Sequence, residues 1–193
     1  MLRTSMLMSA VAALTLSAAP MALAEEAHVG PTTEYVEEAV KPWLSDPVII
    51  NAIKAQNEAH ANLASGEIDA LDKKWRAEVD ADSHPMIDEV LAKEASKFLM
   101  EKQEASDGAI TEIFIMDDKG LNVAQSAITS DYWQGDESKF QKSFGAGADA
   151  IFVDDAEKDE STQMLQAQAS MTIVDETGKA IGAITVGVNL DKL

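Results

Sequence analysis

Two tetrads of the same turn chemistry, Asp117-Asp118-Lys119-Gly120 and Asp175-Glu176-Thr177-Gly178, each separate apolar runs whose side chains alternate from one face to the other. Aspartate and glycine at that spacing make hairpins, and period-two alternation on both sides commits residues 110 to 190 to an antiparallel sheet. Five strands are expected. Glu112 to Met116 is apolar on both faces, which predicts a central strand covered on both sides. Leu121, Val123 and Ala124 begin the returning strand, and Ile151-Phe152-Val153-Asp154 begins a third. Gln163 to Val174 supplies a fourth, with Leu165, Ala167, Ala169 and Met171 on one side and Gln166, Gln168, Ser170 and Thr172 on the other. Ile181 to Leu190 closes the sheet, and its small residues Gly182, Ala183 and Gly187 leave room for another element or a ligand.

Ahead of the sheet runs a long helical lead. Residues Glu25 to Pro31 carry no periodicity and are expected to fray. Thr33 is placed to cap a helix with Glu34, Glu37 and Glu38 in its first turns, Pro42 interrupts it, and Asp46-Pro47 restarts it as a cap followed by proline. Ile49, Ile53, Gln56, His60 and Leu63 then form a stripe, Ser65-Gly66 breaks it, and Ile68, Leu71, Trp75 and Val79 resume the spacing. A third helix is predicted from Asp82-Ser83-His84-Pro85 to Ser106-Asp107-Gly108. Helices this polar are marginal alone in water, so the lead must lie against the sheet.

The N-terminus reads as an export signal. Arg3 precedes an apolar run from Met6 to Ala19, and Pro20-Met21-Ala22-Leu23-Ala24 places small residues for cleavage after Ala24. That run is shorter than the roughly 20 residues of a membrane helix. The expected organisation is a signal peptide over 1–24 and one domain over 25–193, with the helical lead at 25–108 and the sheet at 109–193. A periplasmic location follows. The formal net charge of −19 sets nucleic acid aside as a partner. With no cysteine, neither disulfides nor thiolate metal sites are available.

Between the second and third strands lies the one dense cluster of aromatic, amide and acidic residues, Ser130-Asp131-Tyr132-Trp133-Gln134-Gly135-Asp136. Tyr132 and Trp133 offer flat faces with polar handles, suited to covering a small ligand or to plugging the core's edge. Asp131 can accept from a ligand amine, and Asp136 is expected to cap the short helix holding Lys139, Phe140 and Phe144. Gln166, Gln168 and Thr185 could line a pocket from the sheet or lie on a wet face. Arg76 either turns toward an anionic ligand or belongs to a solvated helix face.

The order of parts resembles the single Cache domain, also called the PDC sensor fold, a PAS-like module of bacterial chemoreceptors and sensor kinases. The segment Ser130 to Phe140 looks like that family's aromatic loop and short helix, and Ile173 to Val188 looks like its closing hairpin. The resemblance implies an α+β fold, a long N-terminal helical segment packed on a five-stranded antiparallel PAS-like sheet, with ligand between one sheet face and the loop. Phe152-Val153-Asp154 is similar to an aromatic-x-Asp pair that amino-acid-binding relatives aim at a ligand amine, although here it runs into a charged edge of acids. Two departures stand out: no arginine follows Arg76, and the chain stops at Leu193 where receptors continue into a membrane helix.

His28, His60 and His84 are scattered, no serine elbow occurs, and no calcium-loop spacing organises the acids. Neither catalysis, a metal nor a cofactor is therefore expected. The reading is an exported, free-standing Cache-like protein that recognises a small polar molecule and signals through a membrane receptor or sensor kinase. A homodimer through the N-terminal helices is expected with it. The competing reading is a ligand-free structural or assembly protein of the cell envelope.

Overall fold

A computed structural model describes residues 27–158 and 164–193. The expected signal peptide and its cleavage point lie outside the described residues, as does Gln163.

The first described helix, α1 (Val29–Tyr35), starts earlier than Thr33 and takes in Val29, Gly30 and Pro31, while Glu25 and Glu26 lie outside the described residues. His28 Nε2 lies 2.9 Å from the Asp154 carbonyl oxygen, tethering the start of the helix to the sheet edge. A π turn over Val36–Val40 and a 3-10 turn over Lys41–Trp43 follow, where Pro42 lacks the N–H that a regular helix would need. Helix α2 (Pro47–Ala59) opens as its sequence dictates, with the Asp46 carboxylate accepting from Val48 N–H at 2.9 Å. Helix α3 (Ser65–Val79) takes Ser65 and Gly66 into its first turn, and the chain breaks instead at His60 to Asn62. The Glu67 carboxylate accepts from Ala64 N–H at the helix start.

The third expected helix is two, α4 (Pro85–Ala92) and α5 (Glu94–Ala105), broken where Lys93 adopts ψ 149°. The carbonyl of Val90 freed by the break accepts from Ser96 Oγ at 2.6 Å, and that same hydroxyl accepts from Gln125 N–H. Asp107 and Gly108, at φ 52° and 78°, end α5 and turn the chain into the sheet.

Among the described residues six strands form, β1 (Ile110–Met116), β2 (Asn122–Gln125), β3 (Ile151–Val153), β4 (Glu157–Lys158), β5 (Leu165–Val174) and β6 (Ala180–Asn189). Their order is β2-β1-β6-β5-β3, every pairing is antiparallel, and the two-residue β4 adds to β5. The middle strand is therefore β6, and β1 lies one place toward the edge.

The register sorts the sheet into two faces. Ile113, Ile115, Ile184, Val186, Ala169 and Met171 share a core with Val36, Val40, Ile49, Ile53 and Leu99 of the helical lead. Each of the isoleucines, valines, leucine and methionine among them, fully buried, contributes roughly 1.5–3 kcal/mol. On the opposite face Phe114, Met116 and Ala183 pack under Phe140 of α6 (Ser138–Gln141) and its neighbour Phe144. The small residues of β6 hold no spare room: a Cβ on Gly182 would strike the Met116 carbonyl oxygen, and one on Gly187 would strike Thr111 Oγ1. Among the described residues no helix is long and apolar enough to cross a membrane.

Candidate ligand cleft

Helices α2, α3 and α4 and the start of α5 border a cleft of about 980 Å³. Val48, Ala52 and Ala55 of α2 and Met86 and Val90 of α4 give it apolar walls. Its floor is polar, because Gln56 and Tyr132 there are buried while Lys93 and His60 are half-buried. Asp46, Asn51, Lys74, Glu89 and Glu94 also line it, so the cleft joins apolar patches to charged groups of both signs, a mixture that can orient a small molecule.

One buried carboxylate organises that floor. Asp117 Oδ1 accepts from the N–H groups of Lys119 and Leu121, closing the β1–β2 turn. Its Oδ2 accepts from Gln56 Nε2 at 3.0 Å and faces His60 Nδ1 at 2.8 Å. Gln56 also donates to the Asn122 carbonyl, and its Oε1 accepts from Lys93 Nζ at 3.3 Å. Lys93 reaches on to the Val123 carbonyl at 3.0 Å. Burial holds the Lys93 ammonium below its ordinary pKa, opposed by the negative charges of Glu89 and Asp117. Burial likewise pushes the Tyr132 phenol up, helped by Asp117 and Glu89 and opposed by Gln56.

Tyr132 is held from two sides. Its ring stacks on Trp75 with centroids 5.3 Å apart, and the Trp75 indole donates to the Thr129 carbonyl at 2.8 Å. The Asp72 carboxylate on α3 accepts from both Tyr132 and Trp133 N–H, at 2.9 and 3.0 Å. Its other oxygen accepts from Arg76 Nε at 2.7 Å. Sequence reasoning passed over Asp72; its place four residues before Arg76, on the same helical face, was the available signal.

The residues expected at the site are divided by the fold. Tyr132 borders the cleft. Asp131 and Arg76 pair at 3.2 Å, with Ser130 and Gln134 also donating to Asp131. Burial would raise the Asp131 carboxyl, but those partners and Glu137 hold it below the usual carboxylate range. Trp133 turns its indole to the Lys119 carbonyl at 2.8 Å and does not line the cleft. Gln168 and Thr185 lie on the α6 side of the sheet, bonded to Glu112 and Ser170, and Gln166 is buried on the same face. Asp154 accepts from Asp155 N–H just past β3. Asp136 makes no cap, since α6 starts after Glu137 without a side-chain bond. The two residues that sequence reasoning missed most clearly are Lys93 and Asp117, because neither a lone lysine in a helix nor a turn aspartate signals burial.

Among the described residues, no group of three or more histidine or carboxylate side chains is placed to hold a metal ion.

This strand order, roofed by an aromatic loop and backed by a long helical lead, is the fold of Cache/PDC-type sensor domains. The sensor domain of the Vibrio cholerae histidine kinase DctB superposes with a TM-score of 0.50 at 12% identity, covering 86% of this chain and 52% of that one. The Escherichia coli DcuS sensor domain gives 0.48 at 12% identity over 86% of this chain and 92% of that one. The isoleucine-bound sensory domain of the Campylobacter jejuni chemoreceptor Tlp3 gives 0.39 at 14% identity, over 81% and 62%. The chain spans about half the length of the DctB structure, and at these identities the likeness is one of fold. No protein-family model and no curated protein matches the chain by sequence.

Proposed function

We propose that this chain is an exported, free-standing sensor domain that binds a small polar molecule in the cleft beside Tyr132 and passes the event to a separate membrane partner. The supporting observation is the cleft itself, with apolar walls over a floor of Gln56, His60, Lys93 and Tyr132 tied to the β1–β2 turn through Asp117. A ligand there touches four helices and the sheet at once. Binding then favours one arrangement of helices over another by its differential affinity, which is all that signalling requires. The reading is non-catalytic. It includes a periplasmic location, with mature protein starting at Glu25, and a homodimer through the N-terminal helices; N-terminal sequencing of exported protein and sedimentation equilibrium test these two parts.

A second reading, a ligand-free envelope protein, draws on the opposite sheet face, which is filled by the protein's own Phe140 and Phe144. Thermal-shift screening with amino acids, organic acids, amines and purines separates the two. A ligand at 100 times its dissociation constant should stabilise the fold by about 2.7 kcal/mol. A silent library, together with a crystal structure in which side chains close the cleft, would overturn the sensor reading.

A further inference from the structure

The loop between β2 and β3 carries a second cluster of charge, apart from the cleft. Asp131 is buried, and its carboxylate already serves three donors: Oδ1 accepts from Ser130 Oγ at 2.6 Å and from Gln134 Nε2 at 3.1 Å, and Oδ2 accepts from Arg76 Nη2 at 3.2 Å. Glu137, half-buried at the entry to α6, holds Lys139 Nζ at 2.8 Å on its Oε2. Its carboxyl also meets that of Asp131 within hydrogen-bonding range. An ionised carboxylate has no proton to donate, so two carboxyl groups bond to each other only when one proton lies between them. Asp131, with three donors already on it, is the ionised member, and Glu137 is the acid that donates.

The charges around the pair set its balance. Arg76 is shared with Asp72 of α3, and Asp136 in the loop adds to the negative field on it. Four carboxyl groups thus share two cations, Arg76 and Lys139, an excess of negative charge that a bound proton relieves. On the sheet beneath, Glu112 accepts from Gln168 at 2.7 Å, and Lys142 lies over the Phe152 ring at 4.3 Å, so both are engaged elsewhere. Burial, with the Asp131 charge behind it, holds the Glu137 carboxyl above its ordinary pKa against the pull of Lys139. The Asp131 carboxyl lies below its own, so the two protons leave the pair in separate steps.

The pair spans a junction in the fold. Asp131 precedes Tyr132, whose N–H is held by Asp72, while Glu137 leads into the short helix whose Phe140 packs over Phe114, Met116 and Ala183. We propose that this junction is a proton-operated latch: a single proton shared by Asp131 and Glu137 holds α6 and Phe140 down on the sheet, and its loss frees them. Glu137, raised, contributes fully below its unfolded value of about 4.3, and that contribution is lost as pH climbs through its folded value. Asp131, lowered, contributes above its unfolded value of about 3.9 and loses that contribution as pH falls through its folded value. The latch is therefore firm between the two folded values and slack above the upper one. It needs no occupant in the helical cleft and goes beyond the sensor reading.

Carbon-detected NMR of the folded protein, titrated from about pH 3 to about pH 8, tests it. The carboxyl signals of Asp131 and Glu137 should titrate as one pair in two steps, and the amides of Ser138 to Phe144 with the Phe140 ring should follow the upper step. Glu137→Gln puts a permanent amide donor in place of the shared proton, so the upper step should vanish and the α6 amides should keep their acid-side positions throughout. Lys139→Met removes the cation that favours ionised Glu137, so the upper step should move to higher pH by a few tenths of a unit. Independent titration of the two carboxyls at ordinary values, α6 signals indifferent to the upper step, or an upper step that survives in Glu137→Gln would overturn the proposal. An upper step that stays put or moves down in Lys139→Met overturns it as well, and that variant decides the matter if Glu137→Gln does not fold.

Discussion

Asp117 Oδ2 lies 2.8 Å from His60 Nδ1, joining the β1–β2 turn to the end of helix α2 across a separation of 57 residues. The aspartate is fully buried and serves four donors, two from its own turn and two from α2. Its counterpart in the second hairpin, Asp175, accepts only from within its turn, from Thr177 and Lys179. Identical local chemistry thus has different global weight.

The first prediction uses that contrast. Asp117→Ala leaves four donors without their acceptor in a buried site and should cost roughly 3–5 kcal/mol, read from urea denaturation. Asp175→Ala should cost clearly less, because solvent can replace its carboxylate. Equal losses would refute the assigned role of Asp117.

Glycine makes a parallel case. Gly120 and Gly178 both sit at φ 81°, where other residues are strained. A Cβ on Gly120 would lie 2.6 Å from the Gly135 backbone, whereas one on Gly178 would meet nothing within 4 Å. Gly178→Ala should cost only the conformational strain of about 1–2 kcal/mol. Gly120→Ala should cost several kcal/mol, since backbone cannot step aside, and it should displace the Trp133 loop, visible as a shift in tryptophan fluorescence.

Trp75 is the buttress for the residue that borders the cleft. Trp75→Ala removes the stacking partner of Tyr132 and the donor to Thr129, with an expected loss of about 3–5 kcal/mol. Trp75→Phe keeps a ring against Tyr132 but strands the Thr129 carbonyl, for about 1–2 kcal/mol. If the Phe variant is as damaging as the Ala variant, the hydrogen bond rather than the stack holds the loop.

Alkaline titration reports on the floor of the cleft. The protein has two tyrosines, and both phenols are raised by burial, Tyr132 further by Asp117 and Glu89. A raised folded-state pKa stabilises the fold fully below the unfolded value, near 10, and that contribution is lost as pH rises beyond it. Tyrosinate absorbance should therefore grow together with loss of far-ultraviolet circular dichroism. Ionisation of Tyr132 near pH 10 in a still folded protein would show that its ring is solvated.

Local chemistry made much of this protein legible from its residues. Asp46-Pro47 starts a helix wherever it stands, because the cap and the missing N–H are properties of adjacent atoms. The two Asp-x-x-Gly turns and the alternation of Leu165 to Val174 likewise reveal hairpin and faces, since they depend on bonding within a few residues. The helix break at Lys93 could not be read, because its stabilising partners Gln56, Val123 and Gln125 are about 30 or more residues away along the chain. The same holds for Asp72, whose grip on Tyr132 and Trp133 spans 60 and 61 residues.

Sequence alone therefore determined where α2 starts, where the two hairpins turn, and which face of β5 is polar. Only the tertiary structure decided that β6 takes the middle of the sheet, that Tyr132 borders a hollow among helices rather than one over the sheet, and that Lys93 is half-buried with its hydrogen bonds on neutral oxygens. Strand order, enclosure and desolvation are relations between distant segments, set by the joint packing of surfaces that no local pattern encodes.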